Sequence, residues 1–388
     1  MTTITPQAMK SPLEVLADDI LDPSPARQRL ARQRYRDLGA WFKRHVPNTF
    51  ASDVRVYPQG SRRLGTTNVN PITNRFDIDL VMCLYMPKER TSQAELVLRV
   101  NGWLGSYTAA RMADGGVLAP IEMDKGKRAF TLHYADDFHM DILPVVPQLV
   151  LDTVGEPSWL ADKGLRNWQP TNPEGFAKHF DAVSQAEALV LAKRAGVEVE
   201  DLPDQRILTN LQRGVKLLKR HRDEQFGDDP DKLAPPSAVI TALATASYRA
   251  TIQGSSAGTV SLVDIVAGMP DQIQFRAGEL WVPNPTLRTE NYADRYAGQD
   301  RKVQALHTWL ASAGQAFRAA SAGPGGIQHK ATTIDEAFGA GLGRRVAQHM
   351  GVTVSAAANV GSLGTSNGRL DPISTRPHPP HQFYGEAT

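Results

Sequence analysis

The chain has 388 residues, 41% of them hydrophobic and 22% charged, and its 43 basic and 41 acidic residues leave a net charge of +2. This composition argues against disorder in the body of the chain and against a protein that coats nucleic acid through its overall charge. The length predicts two packed lobes rather than one core. The single cysteine, Cys83, excludes an internal disulfide and a multi-cysteine zinc site.

Membrane and export signals are also missing from the sequence. No apolar stretch approaches the roughly 20 residues that span a bilayer. Residues 1–10 lack the basic-then-apolar pattern of a signal peptide. We therefore expect a cytoplasmic protein with no membrane partner.

The first predicted element is a helix near the N-terminus. Ser24 is a good N-cap, Pro25 suits the first helical position, and an apolar stripe at helical spacing continues to Pro47, which ends the helix. Seven basic residues and one acidic residue fall between Arg27 and Arg44. This pattern favours a solvated helix face, with a nucleotide or nucleic-acid contact as the alternative.

Residues 51–150 have the pattern of strands and loops. Strands are predicted over 54–57 and 77–84, and a helix over 92–110. Residues 129–134 and 138–143 are predicted to form the two strands of a hairpin.

From about residue 175 the apolar periodicity becomes helical. The predicted helices cover 174–195, 205–225, 237–250, 259–268 and 301–319. The change of composition near 150–175 predicts a lobe boundary, with one lobe over 1–170 and a helical lobe over 171–350. Residues 351–388 are rich first in Ala, Ser and Gly and then in Pro and His, which predicts a mostly flexible tail.

Two acidic residues on the predicted strand over 77–84 are the first candidates for chemistry. Asp77 and Asp79 are two positions apart, so their side chains project from the same face, whereas Ile78 and Leu80 point into a core. Two neighbouring carboxylates repel each other unless a cation neutralises them. Mg²⁺, with Mn²⁺ as an alternative, prefers such oxygen ligands, and two ions bridged by this pair can support phosphoryl transfer.

A third carboxylate is predicted on the strand over 138–143. Phe138, Met140 and Ile142 alternate to one side of that strand, which leaves His139 and Asp141 on the other. If the two acidic strands are neighbours, Asp141 faces the first pair. We assign it to a metal ion that activates the attacking hydroxyl, or to the role of its base.

A Gly-Ser dipeptide lies a short distance before the acidic pair. Gly60 permits a close approach of the backbone to phosphate, and the hydroxyl of Ser61, with the N–H groups of the turn, can bind phosphates. Each part also has an ordinary explanation: a loop, a solvated strand face or an ion-pair partner. The order of all three parts, with apolar alternation around both acidic strands, favours a catalytic site.

These segments resemble a known family, the bacterial cGAS/DncV-like nucleotidyltransferases (CD-NTases), which are the oligonucleotide cyclases of anti-phage CBASS operons. The resemblance covers about residues 25–310. The matching segments are 60–66, 76–81 and 139–144, followed by 217–223, 235–240, 281–285 and 290–294.

The resemblance implies an α+β protein with a polymerase-β-like core, a mixed sheet, an N-terminal helix that spans the lobes and a C-terminal helical lobe. It implies an enzyme that joins two or three NTPs, ATP, GTP or both, into a cyclic di- or trinucleotide and releases pyrophosphate without a nucleic-acid template. The product activates a separate effector, and operon-encoded regulators are further expected partners. Ser61 would contact the donor triphosphate, and Lys219 and Ser237 would contact phosphates from the helical lobe.

The helix predicted over 205–225 supports a role for Lys219. It separates a buried stripe from a basic face; the stripe is Leu208, Leu211, Val215 and Leu218, and the basic face is Lys216, Lys219 and Arg220. A basic face suits a triphosphate. The alternative is a solvated face on which Lys219 pairs with Asp223, four residues later.

Two other functions stay open at the level of sequence. The first is a linear, template-independent transferase that acts on RNA ends, which the near-neutral charge and the missing basic domain disfavour. The second is a non-catalytic nucleotide-binding module, which the intact set of Asp77, Asp79 and Asp141 disfavours.

Overall fold

The computed structural model describes residues 10–71, 73, 75–126, 128–148, 150, 153–162, 167–195, 208–254, 260–321, 327–359, 364–366 and 369–371. The chain divides into two compact units: Leu21–Gly314, here the first unit, and Met1–Ile20 with Gln315–Thr388, here the second. The predicted boundary near residue 170 falls inside the first unit, and the division into two lobes stays a prediction.

A mixed sheet organises the first unit, and within the described residues it has seven strands in the order β1-β2-β5-β4-β3, with β6 paired to β5 and β7 paired to β6. The strands are β1 Val54–Gln59, β2 Asp77–Leu84, β3 Glu122–Lys125, β4 Phe130–His133, β5 His139–Pro147, β6 Ser158–Asp162 and β7 Asn167–Thr171. Only β2 and β5 are parallel to each other; the other pairs are antiparallel.

Helices cover the sheet and continue the chain after it. The helices are α2 Pro25–His45, α3 Gly60–Leu64, α4 Gln93–Asp114, α5 Pro173–Ala195, α6 Asn210–Phe226, α7 Ser237–Gly254, α8 Leu262–Ala267 and α9 Asp300–Ser321, the last of which continues into the second unit. Between α8 and α9 lie the short strands β8 Gln274–Arg276, β9 Glu279–Trp281, β10 Pro283–Asn284 and β11 Leu287–Asn291. No helix in the described part of the chain is both long and apolar enough to cross a bilayer.

The main core lies on one face of β2 and β5. Ile78, Leu80, Met140 and Ile142 are fully buried there and pack with apolar side chains of α2 and α4. This is the alternation that the sequence predicted for both strands, and the hairpin of β4 and β5 is likewise confirmed.

The predicted helices are present, with one start displaced. The helix expected from residue 205 begins at Asn210, because the hydroxyl of Thr209 accepts from the backbone N–H of Gln212 while the Gln212 side chain accepts from the N–H of Thr209. Leu208 therefore precedes the helix instead of joining its buried stripe. Residues 205–207 lie outside the described residues.

Strands β3, β6 and β7 were not predicted, and neither were the two helices over 327–338 and 342–359. The burial of β6 is nearly continuous, and β7 is half-buried along most of its length, so neither shows the period of two by which a strand is recognised in sequence.

The second unit contains α1 Pro12–Val15, a π-helical turn Leu16–Ile20, α10 Ile327–Phe338, α11 Leu342–Asn359 and the hairpin of β12 Gly364–Ser366 with β13 Arg369–Asp371. Residues 351–359, expected to begin a flexible tail, instead continue α11, since Ala and Ser are tolerated in helices. The remainder of that predicted tail, apart from the hairpin, lies outside the described residues.

Arg34 ties α2 to the end of the sheet. Its side chain is only 4% exposed, and its guanidinium donates to Val117 O at 2.9 Å and pairs with Asp136 at 2.9 Å. It also lies 4.1 Å from the centre of the Tyr134 ring. Replacing a buried charged side chain that has several partners is destabilising, because the partners that remain lose their hydrogen bonds.

We expect Arg34→Leu to lower the free energy of unfolding by about 2–3 kcal/mol. Arg32→Leu, an exposed arginine on the same helix, is the matched control and should change stability by less than about 0.5 kcal/mol. Urea unfolding followed by circular dichroism measures both variants. Equal losses in the two would contradict the role assigned to Arg34.

Candidate active site

Parallel pairing of β2 and β5 brings the three predicted carboxylates together. Asp79 is the register partner of Asp141, and Asp77 is the partner of His139. The side chains of Asp77, Asp79 and Asp141 therefore project from the same face of the sheet, opposite the main core. Farther along this face the residues are apolar and buried, so the acids occupy one end of it.

The buried part of this face accounts for the single cysteine. Cys83 packs with Val81 and Val145, and burial raises the pKa of its thiol to about 12. Cys83 is therefore a free, buried cysteine whose thiol ionises poorly.

Mutual repulsion and burial dominate the electrostatics of the acidic cluster. Loss of solvation, followed by the charges of Asp141 and Asp77, raises the pKa of Asp79 from 3.8 to about 6, against the opposing effect of Lys219. Loss of solvation also raises the pKa of Asp77. The Asp77 side chain is 62% exposed, since it lies in an open cavity whose surrounding protein atoms still displace much of its water.

Two neighbouring side chains hold the carboxylates in the absence of a cation. Thr131, the partner of Asp141 in β4, donates its hydroxyl to Asp141 Oδ1 at 2.6 Å. His139 Nδ1 lies 3.4 Å from Asp77 Oδ1. In these positions no three His, Cys, Asp or Glu side chains of the described residues converge as a metal site.

The donor set nevertheless fits Mg²⁺. Three carboxylates on adjacent strands supply only hard oxygen ligands, and burial and the neighbouring carboxylates raise the pKa of Asp79, so a cation bound here would stabilise the charged cluster. Strands that are paired lie about 5 Å apart, so rotation of the side chains is enough for Asp79 and Asp141 to share an ion.

The turn after β1 places glycine directly against the carboxylates. Gln59 is the register partner of Asp79, and Gly60 follows with a φ of +54°. A Cβ at Gly60 would lie 2.4 Å from Asp79 Oδ2. Glycine is therefore required here for two reasons: its backbone conformation and the approach of the carboxylate.

Ser61 begins a short chain of contacts that leads to α6. Its carbonyl accepts from Thr66 N at 2.9 Å, and its hydroxyl accepts from Thr67 Oγ1 at 3.4 Å. Lys219 Nζ then donates to Thr66 O at 3.1 Å, so the ammonium group of α6 lies against the Gly-Ser loop. This contact takes the place of the alternative pairing with Asp223.

Among the three residues of the predicted basic face, only Lys219 places its ammonium group in the site without an acidic partner. Lys216 is fully buried and donates to Asp22 Oδ1 at 2.6 Å, and Arg220 pairs with Glu224 at 2.5 Å. The expectation of one shared basic face is thus wrong for Lys216. Burial and the neighbouring Arg222 lower the pKa of Lys219 to about 8.

Ser237 and the two arginines after Ser61 take different positions. Ser237 begins α7 and accepts from Arg222 Nη1 at 3.3 Å. Arg62 donates to Gln28 at 3.0 Å and Arg63 pairs with Asp181 at 2.7 Å, and neither lines the cavity of the acidic cluster.

One cavity of about 710 Å³ brings all the predicted site residues together. Its lining includes Gly60, Ser61, Asp77, Asp79, Asp141, Lys219 and Ser237. Acidic strands form one side, and cationic and hydroxyl groups of α6 and α7 form another. A phosphate chain that entered this space would meet the positive groups, and a metal ion would meet the acids.

Three residues in or beside the cavity had no role assigned to them from the sequence. Thr131 does not line the cavity but holds Asp141, and this pairing depends on the register of β4, which sequence leaves open. Glu290 and Tyr292 line the cavity and lie in a segment, 290–294, that the family resemblance had marked. The sequence supplied that signal, but it did not show that these residues line the same cavity as the carboxylates.

Known proteins with similar sequences are cyclic dinucleotide synthases. The c-di-GMP synthase of Roseivirga ehrenbergii is 26% identical over 270 residues, covering 67% of this chain and 66% of that protein. The cyclic dinucleotide synthase CdnG of Bradyrhizobium diazoefficiens is 25% identical over 390 aligned positions, covering 90% of this chain and 88% of CdnG. No family model matches the chain.

In sequence and in fold, the chain is similar to the CD-NTases. Solved structures agree in fold: CdnG of B. diazoefficiens in complex with GTP superposes with a TM-score of 0.65 at 23% identity, over 87% of this chain and 97% of CdnG. Escherichia coli CdnC with ATP gives 0.58 at 15% identity, over 85% and 97% of the two chains. The predicted α+β, polymerase-β-like fold is thereby confirmed.

Replacement of Gly60 should test the close approach of the turn to Asp79. We expect Gly60→Ala to lower the free energy of unfolding by about 1–3 kcal/mol, because it adds both backbone strain and a steric overlap. Gly102→Ala is the matched control: no atom would contact the new Cβ, so this helical position of α4 should become more stable by about 0.5–1 kcal/mol. Chemical unfolding of both variants gives the comparison, and a neutral Gly60→Ala would contradict the geometry.

The raised pKa of Asp79 predicts a pH-dependent stability of the metal-free protein. A carboxyl with a pKa near 6 in the folded state and 3.8 in the unfolded state opposes folding above pH 6, and this penalty fades as the pH falls towards 4. Asp79→Asn should therefore be more stable than the wild type by about 1–2 kcal/mol at pH 7.5, and the difference should shrink at pH 4.5. Unfolding in EDTA at both pH values, with Asp124→Asn as an exposed control, measures this; a variant less stable than wild type at pH 7.5 would be the contrary result.

Proposed function

We propose that this chain is a CD-NTase that joins two NTPs into a cyclic dinucleotide, with release of pyrophosphate and without a template. The observation that carries the proposal is the direct register pairing of Asp79 with Asp141, with Asp77 beside them, in a cavity that also contains Gly60–Ser61. A non-catalytic binding module has no need to keep three repelling carboxylates together.

GTP is the first substrate candidate. The relatives of this chain are a c-di-GMP synthase and CdnG, and CdnG has been solved with GTP. These names concern other proteins, at 25–26% identity in sequence. We therefore propose a guanine nucleotide for at least one of the two positions, with ATP as the alternative for the other.

Different residues of the cavity would have different roles in the reaction. Ser61 and the turn after Gly60 would hold the donor triphosphate, and Lys219 and Ser237 would bind its phosphates from α6 and α7. Asp77, Asp79 and Asp141 would hold Mg²⁺, which supplies charge neutralisation and activation of the attacking hydroxyl when it is bound. Fixing both nucleotides in one enclosed space supplies proximity and orientation.

A defence role is the wider form of the proposal. The product would be a signal that activates a separate effector protein during phage infection, as the CBASS resemblance implies, and operon-encoded regulators would control the synthase. The support for this role is the likeness of the chain to the CD-NTases.

Product analysis tests the proposed activity. Purified protein is incubated with all four NTPs and Mg²⁺, treated with phosphatase and analysed by mass spectrometry. We expect a phosphatase-resistant cyclic dinucleotide that contains guanine. Asp77→Asn with Asp79→Asn should abolish it while leaving the fold intact. Only linear products, or a requirement for added RNA, would contradict the proposal.

The control for that double variant comes from the same sheet. Glu122→Gln with Asp124→Asn removes two acids, also two positions apart, from the exposed strand β3. These residues do not line the cavity, so product formation should be unchanged. Equal losses in the two double variants would show that lost charge on the sheet, rather than the site, abolishes activity.

Lys219 should act on phosphate binding. We expect Lys219→Met to raise the KM for NTP about tenfold or more, because a charge-assisted contact is lost. Lys178→Met, an exposed lysine on α5, is the control. Since the pKa of Lys219 is about 8, the KM of the wild type should rise as the pH increases through 8, and that rise should be absent in Lys219→Met. Steady-state kinetics from pH 7 to 9 measures both effects.

A further inference from the structure

A second cavity of about 260 Å³ lies beside the active cavity, among α5, α7 and the segment that carries β8 and β10. None of the three carboxylates lines it. Its apolar lining consists of Phe176, Ala242, Leu243, Ala246, Ala250 and Val282. The proposed reaction does not account for this space.

A guanidinium, that of Arg249, and an imidazole, that of His179, line the second cavity. His179 is half-buried and Arg249 is exposed, and neither forms a hydrogen bond or an ion pair within the described part of the chain. Burial and the neighbouring Arg249 lower the pKa of His179. Side-chain amides of Gln253 and Gln274 complete the polar lining. A guanidinium without an acidic partner, beside an imidazole that can donate a hydrogen bond, suits a bound anion.

We propose that the second cavity binds a small amphipathic anion, an apolar ring-sized body with one carboxylate or phosphate group. The volume is below the range of about 300–1,000 Å³ that is typical of drug-sized ligands. The apolar wall suits a ring, and the His179–Arg249 pair suits one anionic group. A nucleoside triphosphate is excluded, because it is larger and carries more charge than this pair can balance.

The Phe176 ring is the first connection between the two cavities. It lines both of them, and on the active side it lies edge-on to Tyr292 with ring centres 5.5 Å apart. Phe176 is only 8% exposed, so a ligand that presses on one side of the ring displaces it towards the other cavity.

The segment after β9 is the second connection. Pro283 and Pro285 line the second cavity, whereas Asn284 between them is fully buried and donates to Glu290 Oε2 at 2.7 Å. Glu290 in turn lines the active cavity. Successive residues of an extended segment point to opposite sides, so one short segment contacts both spaces.

Hydrogen bonds and close packing fix the backbone beside Phe176. Side chains, rather than the backbone, are therefore the groups that move. Asn172 is fully buried, and its side chain donates to Val154 O at 2.8 Å and accepts from Gly175 N at 2.9 Å. A Cβ at Gly175 would lie 2.5 Å from Val154 O, so the chain packs tightly there. Occupancy of the second cavity therefore changes nucleotide binding through the Phe176 ring and Glu290; this part rests on the proposed function.

Binding is tested without any assay of activity. Benzoate, phenyl phosphate and the neutral benzamide are titrated into the full chain and followed by ligand-observed NMR. We expect at least one of the two anions to bind about tenfold more tightly than benzamide, since a charge-assisted contact distinguishes them. Preference for benzoate indicates a carboxylate ligand, and preference for phenyl phosphate indicates a phosphate ligand. Equal binding of all three compounds, or binding of none, overturns the proposal.

Substitutions of Arg249 that remove or reverse its charge test whether this residue binds the anion. Arg249→Gln should weaken binding of the anion about tenfold, and Arg249→Glu should abolish it and create affinity for the cation benzamidine. Arg249 is exposed and does not line the active cavity, so the fold should be retained. Unchanged binding of the anion in both variants overturns the assignment of the site.

Coupling is measured as the dissociation constant of GTP in its α,β-methylene form, which cannot release pyrophosphate, in Mg²⁺ with and without a saturating concentration of the bound anion. We expect a change of at least about threefold, and by linkage GTP must change the affinity of the anion by the same factor. Phe176→Leu should reduce this factor. An anion that binds without any effect on GTP overturns the coupling alone, whereas GTP that fails to bind counts against the proposed function and leaves the anion site standing.

Discussion

Parallel pairing of β2 with β5 is the constraint on which the site depends. It sets Asp79 beside Asp141 at the cost of burial, and then of repulsion, which together raise the pKa of Asp79 to about 6. The cost is tolerated because the opposite face of the same strands is fully buried, with Ile78 and Met140 in the main core. A slip of one residue would bury a carboxylate and expose the core, so apolar packing fixes the position of the charges.

Positive charge reaches this cluster from the helices that follow the sheet. Lys219 donates to Thr66 O, and Gln212 donates to Leu64 O at 2.9 Å, so one helix contacts the loop after Ser61 at two points. The ammonium group is poorly solvated and its pKa is lowered to about 8. The acids with a raised pKa and the lysine with a lowered pKa are all charges that burial penalises, which is the electrostatic form expected of a site that receives cations and phosphates.

Glu290 connects the remaining parts of the cavity. Its carboxylate accepts from Thr171, from the backbone of Asn172 and from Asn284, so one buried acid joins the end of the sheet, the start of α5 and the β10–β11 segment. Such a fully bonded carboxylate is a rigid element. Because the same segment borders the second cavity, the walls of the two cavities share their supports.

The sequence by itself determined the acidic strands, the Gly-Ser turn, most helices and the likeness to the CD-NTases. These features are local: a strand period of two, a capping residue or a motif can be recognised from neighbouring residues alone. Only the tertiary structure decided which charges act in the site: Lys216 and Lys219 are equally basic in sequence, yet Asp22 pairs with the first and the second faces the cavity. Thr131 acquires its contact with Asp141 only when β4 pairs with β5. Burial, partners and pKa depend on residues far away along the chain, and helical or strand periodicity carries no information about them.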